Sequence, residues 1–187
     1  MSLAIILLVI FVIIVFWLIS LYNQLVRLRN NRENAFADID VQLKQRHDLI
    51  PQLVNAVKGY MQHEEGVLTK ITEARSRAIK AEGIDAKILA EKDLTSALGG
   101  FNVAVEAYPD LKANTNFLQL QEEMADIENK LASVRRYFNS ATKELNNSVQ
   151  MFPSNIVAGM FGFIKEPFFD LGEKQRDDLD TPPEVKF

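Results

Sequence analysis

The chain has 187 residues, of which 48% are apolar, 25% charged and none cysteine, with a net charge of −4. Without cysteine there are no disulfide frameworks, thiolate metal sites or cysteine nucleophiles. The mild acidity argues against nucleic acid, whose binders concentrate basic surface. Eight glycines and six prolines are few for this length, which favours long helices over a turn-rich β fold.

Leu3 to Leu21 is an unbroken apolar run whose only polar member is Ser20. About nineteen residues at 1.5 Å each span roughly 28 Å, close to the hydrocarbon thickness of a bilayer. The run predicts a transmembrane helix over residues 1–22. A cleavable signal peptide has a basic start, a shorter apolar core and a small-residue cleavage site. Here only Met1 and Ser2 precede the run, and Phe16, Trp17, Leu18 and Ile19 fill its far end. Arg27, Arg29 and Arg32 follow closely, and basic residues beside a span tend to stay cytoplasmic. The expected orientation is N-terminus out with the remainder in the cytosol.

From Leu25 onward apolar residues recur on a heptad. One row reads Phe36, Leu43, Ile50, Val57, Glu64, Ile71, Ala78; the other reads Leu25, Arg32, Ile39, Arg46, Leu53, Tyr60, Val67, Ala74. Spacings of 3 and 4 put both rows on one stripe of a helix, as in a coiled coil. Pro51 lacks a backbone donor, so a kink or short break is expected there. Because the rows keep register, a single arm is expected to continue to Gly83. Its basic residues outnumber acidic ones ten to seven from Arg27 to Lys80, and acidic outnumber basic eighteen to eleven beyond. That asymmetry suits a stalk near anionic headgroups.

A second, weaker helix is expected from about Ile84 to Ala107, through Ile88, Leu94, Leu98, Phe101 and Val105, and stopped by Tyr108-Pro109. The third is the clearest: Phe117, Leu120, Met124, Ile127, Leu131, Val134, Phe138, Ala141 and Leu145 alternate by 3 and 4. Asn116 with Gln119 offers a capping pair at its start. No β alternation appears, so the expected fold is all-α: a single N-terminal transmembrane helix, then an antiparallel bundle of long helices over 23–152. Residues 153–172 form an apolar Phe/Gly-rich segment, and 173–187 an acidic tail expected to be flexible.

Ordered blocks along the chain resemble the LemA family of bacterial membrane proteins. They are the apolar start with Tyr22-Asn-Gln-Leu-Val26; Arg46-His-Asp-Leu-Ile-Pro-Gln-Leu-Val54 with Val57-Lys-Gly-Tyr60 and His63-Glu64; and Tyr108-Pro-Asp-Leu-Lys-Ala-Asn114 with Phe117-Leu-Gln-Leu-Gln121. Tyr137-Phe-Asn139, Phe152-Pro-Ser-Asn155, Phe161-Gly-Phe163 and the ending Pro183-Glu-Val-Lys-Phe187 complete the series. The resemblance implies an N-terminal membrane helix and an all-α bundle, and the expected location is the bacterial cytoplasmic (inner) membrane, crossed once. It carries over no catalytic residues.

His47-Asp48 and His63-Glu64-Glu65 hold the only candidates for metal or acid–base chemistry. On one straight helix the two histidines lie roughly 24 Å apart, too far to share a metal. Arg46, His47 and Asp48 are instead expected to form a polar cluster that sets helix register. No metal, cofactor or catalytic site is expected, and no nucleophile–base pair or Gly-rich phosphate loop is visible. The Phe152–Phe169 segment is the strongest interaction candidate. Met160, Phe161, Phe163, Ile164, Phe168 and Phe169 supply apolar bulk for core closure, subunit packing or membrane-surface contact, and Phe187 for docking on a neighbour.

The expected function is a non-catalytic, membrane-anchored scaffold. It would self-associate through its helices and C-terminal apolar segment as a homo-oligomer, organising a membrane or its proteins. Two other classes stand beside it: an accessory subunit presenting a helical surface to a membrane protein such as a protease or transporter, and an enzyme with an unrecognised site.

Overall fold

The computed structural model describes residues 2–170, which form six helices and no strands. They are α1 (Ser2–Val57), α2 (Glu65–Lys80), α3 (Ile84–Val105), α4 (Pro109–Lys112), α5 (Thr115–Gln150) and α6 (Ser154–Phe161). The all-α architecture with one N-terminal helix of spanning length follows the expectation. Helix α1 is apolar on every side from Leu3 to Ile19, and none of its most apolar stretch is buried. A helix hydrophobic all round needs an apolar environment. This one finds none among the described residues. The acidic tail and Phe187 lie outside the described residues.

The chain forms two compact units, the first from residues up to Asp40 and Ala132–Phe168, the second from Val41–Leu131 and residues 169–170. In the first unit, α1 and α5 run antiparallel. Leu25 packs with Val149, Arg32 meets Thr142, and Phe36 meets Phe138 edge to face at 5.5 Å. As numbers rise along α1 they fall along α5, as ridge-into-groove packing of paired stripes requires. Helix α6 lays Val157 and Ala158 onto Leu25, with Leu21, Val149 and Phe163 around them. Gly162 ends α6 at φ +72°, a left-handed conformation that favours glycine. Its N–H and that of Phe163 both donate to the Ala158 carbonyl.

The second unit has the larger core. Ile50, Leu53 and Val57 of α1 join Leu68, Ile71, Ala74 and Ala78 of α2, Leu94, Leu98, Phe101 and Val105 of α3, and Phe117 of α5. Helices α2 and α3 pack on one another as a hairpin. Gly83, at φ +81°, begins the turn into α3. At the start of α5 the Asn114 side chain accepts from the Phe117 N–H at 3.1 Å and donates to the Tyr60 hydroxyl at 3.1 Å. Asn114 is therefore the cap, not the expected Asn116, which lies inside the helix.

The single arm to Gly83 is corrected. Helix α1 runs through Pro51 without interruption and stops at Val57, and α2 starts at Glu65. The seven intervening residues, 58–64, turn around Met61, which is fully buried in the core. A seven-residue turn equals one heptad, so both rows kept their phase across it and hid the break. The stripe of α2 is covered by α3, so it needs no neighbouring copy.

Pro51 stays inside α1 because its missing hydrogen bond is replaced. Proline at 51 leaves the carbonyl of His47, four residues back, without its intrahelical donor. The Arg75 Nε of α2 donates to that carbonyl at 2.6 Å.

Candidate functional site

Two places combine chemistry with geometry, one in each unit. In the second unit, Arg46 and His47 project from α1 on consecutive residues and meet at Glu91 of α3. Arg46 Nη1 donates to Glu91 Oε2 at 3.1 Å, and Nη2 donates to Thr95 Oγ1 at 3.1 Å and Glu128 Oε1 at 2.8 Å. His47 Nε2 lies 2.6 Å from Glu91 Oε1. Arg46 and Glu91 are each only 1% exposed. A pair buried so deeply needs this many partners, because the desolvation of either charge alone is strongly unfavourable.

Asp48 does not join them. It is exposed, beside Gln45, Gln52 and Lys130 in a shallow surface cleft. Side chains on consecutive helical residues diverge by about 100°, and Arg46 and His47 take the inward directions. The buried acidic partner is instead Glu91, which interrupts the α3 stripe three residues after Ile88 and three before Leu94. A carboxylate at a stripe position is a legible signal. Its partner on another helix is not. Arg46 also walls an open cleft of about 540 Å³, with Thr95, Phe101, Gln121, Met124 and Glu128 among its other lining residues. Among the described residues no three His, Cys, Asp or Glu side chains gather as a metal would need.

In the first unit the same logic recurs at Arg32, a charged residue on the apolar heptad row. Its Nε donates to Thr142 Oγ1 at 3.3 Å, Nη2 to the Pro167 carbonyl at 3.3 Å, and Nη1 pairs with Glu166 at 3.2 Å. The guanidinium also stacks over Phe138 at 4.9 Å. Asn146 of α5 accepts from the Glu166 N–H at 2.8 Å and donates to its carbonyl at 2.9 Å. Together they strap the extended chain after α6 onto α1 and α5. Reading the sequence placed Arg32 on the stripe without a role and missed Asn146.

That strap holds one end of the first unit in a defined apolar arrangement. Phe161 lies 4.7 Å from the Tyr22 ring, and Phe163 lies 6.0 Å from Tyr22 and 5.3 Å from the Arg29 guanidinium. Phe163 is half-buried. Met160, Phe161, Ile164 and Phe168 are exposed, as are Phe152 and Ile156 of the same candidate segment and Met151, which lies just before it. Phe169, by contrast, is buried at 3% exposure. It belongs to the interior and leaves the set of surface candidates.

Fold and site define an all-α protein whose first helix carries a span-length apolar run directly into a helical body, with its deepest charges paired inside that body. The chain belongs to the LemA family, whose sequence model matches residues 35–187. Protein LemA of Metamycoplasma hominis is 30% identical over 163 residues, covering 85% of this chain and 73% of that protein. Magnetosome protein MamQ of Magnetospirillum gryphiswaldense is 22% identical over 178 residues, covering 81% and 65%. Magnetosome protein MamQ 2 of Paramagnetospirillum magneticum is 22% identical over 191 aligned residues, covering 88% and 69%.

Proposed function

We propose that this LemA-family protein is a membrane-anchored, non-catalytic scaffold that self-associates laterally and organises a membrane or the proteins in it. The observation that carries the reading is the continuity of α1. One uninterrupted helix of 56 residues holds both the apolar run and the first helix of the body. A helix is stiff, so nothing between anchor and body acts as a flexible tether. Such a connection fixes the height and tilt of the first unit over the bilayer, which suits organising neighbours. A non-catalytic role is supported by the buried ionic groups. Arg46, His47 and Glu91 are engaged with one another, and Arg32 with Glu166, Thr142 and the Pro167 carbonyl. Anchoring supports self-association by confining copies to two dimensions in a common orientation, where closed symmetric assemblies form readily. The bacterial cytoplasmic membrane, with the body on the cytoplasmic side, is the location proposed from the arginines after Leu21.

The test is the mass of the full-length protein purified alone in mild detergent. A scaffold gives a defined multiple of 21.2 kDa after subtraction of detergent. A monomer sinks the self-associating reading and favours the accessory subunit. That second reading has its own support in Leu89 and Val103, exposed apolar residues of α3 that a partner's helix would cover.

A further inference from the structure

The chain from Leu145 to Ile164 contains no charged residue. Its outer surface in the first unit is formed by Met151, Phe152, Ile156, Met160, Phe161 and Ile164, all more than half exposed, with Phe152 at 78% and Met160 at 72%. The inner surface is already used, since Val157 and Ala158 are buried against Leu25. Helix α6 is therefore apolar on both sides, and only one side is covered by this chain. Core closure accounts for the inner side alone.

The level of this patch decides what covers the other side. Helix α6 packs on Leu21 and Leu25, and Phe161 stacks near Tyr22. These positions span the last residue of the apolar run and the four after it, so α6 sits within about 6 Å of the end of the span along the helix axis. The headgroup layer on each side of a bilayer is itself roughly 5–8 Å thick. Tyr22 is an amphipathic ring at that boundary, and the exposed basic residues Arg29, over the Phe163 ring, and Lys165, next to Ile164, border the patch. A second copy would have to reach these side chains through the lipid headgroups that already surround the span.

We propose that α6 and its flanking turns form a membrane-surface foot. Met151, Phe152, Ile156, Met160, Phe161 and Ile164 enter the headgroup–acyl boundary of the leaflet from which α1 emerges. The occupant of the patch is phospholipid. The foot gives the protein a second membrane contact beside its span, and with the Arg32–Glu166 and Asn146–Glu166 strap it locks the tilt of α1. The inference rests on the anchored reading of α1 and adds to it.

The absence of native cysteines makes the test direct. Single-cysteine variants of the full-length protein, Met160→Cys, Ile164→Cys and Asp38→Cys, are labelled with an environment-sensitive fluorophore. They are then reconstituted into vesicles of three parts phosphatidylcholine to one part phosphatidylglycerol, with circular dichroism confirming unchanged helicity. Lipids spin-labelled near the headgroup should quench the probes at 160 and 164 by roughly half or more, as for side chains about 5–10 Å deep. The probe at Asp38, about 24 Å along α1 from Tyr22, should be unaffected. In the unlabelled protein Trp17, the one tryptophan of the chain, reports insertion of the span through quenching by deeply labelled lipid.

If Trp17 is quenched but 160 and 164 are not, the foot is refuted and the anchor stands. If those probes instead self-quench as protein density rises, a second copy is the occupant. If they are shielded from both lipid and neighbour, the chain itself covers the patch. Failure of Trp17 to quench removes the anchor and the foot together.

Discussion

Replacing Arg75 by Met should destabilise the protein, and the loss should depend on the identity of residue 51. Arg75 Nε donates to the His47 carbonyl at 2.6 Å, and that carbonyl has no intrahelical donor because residue 51 is proline. Methionine keeps much of the apolar stem and removes the donor. A charge-assisted hydrogen bond to a half-buried acceptor contributes about 1.5–3 kcal/mol, and an orphaned carbonyl retains its desolvation cost. For a chain of this size 1 kcal/mol corresponds to roughly 2–4 °C in Tm, so Arg75→Met should lower Tm by about 3–12 °C. Pro51→Ala restores the intrahelical N–H and should itself raise Tm. In that background the carbonyl has a second donor, so Arg75→Met should cost at least about 1 kcal/mol less than in the parent. The measurement is thermal unfolding of the full-length protein in mild detergent, followed by circular dichroism. Equal Tm losses in the two backgrounds would show that Arg75 acts through something other than the carbonyl freed by Pro51.

Glu91→Gln keeps the shape of the buried side chain but sets an amide donor against Arg46 or His47, and should cost about 3 kcal/mol. Glu128→Gln, at a partly exposed site on the same arginine, should cost under about 1 kcal/mol; similar Tm losses for the two would overturn the assignment of Glu91 as the centre of the cluster. His47→Ala should fall between them at about 1–2 kcal/mol, and elemental analysis of the purified protein should find no stoichiometric zinc or iron. Asn114→Ala removes the cap of α5 and should cost about 1 kcal/mol in the same melts, whereas Asn116→Ala should be near neutral. A cysteine introduced at the exposed Asn147 should resist a membrane-impermeant thiol reagent in cells with a permeabilised outer membrane, and ready labelling would put the body on the other side.

The sequence by itself determined the elements that depend on local pattern. Nineteen residues with a single polar side chain make a helix long and apolar enough to cross a membrane, and strict 3–4 spacing from Phe117 onward has no periodicity but that of a helix. Arg32 and Arg46 were visible too, as charged residues on a row that expects apolar ones; Glu91 holds such a position on α3 and was passed over. Tertiary structure alone decided how those charges are satisfied. Glu91 is 45 residues from Arg46, and Glu166 lies far along the chain from Arg32, so no local spacing links them. The end of α1 at Val57 was equally hidden, because a turn one heptad long preserves the phase by which a helix is recognised. Pro51 looked like the break and is not, since Arg75, 28 residues beyond His47, supplies the donor that the His47 carbonyl lacks. Which aromatics face inward was decided last. Phe168 and Phe169 are neighbours of one kind in sequence, yet only Phe169 is buried, and nothing in the local pattern separates them.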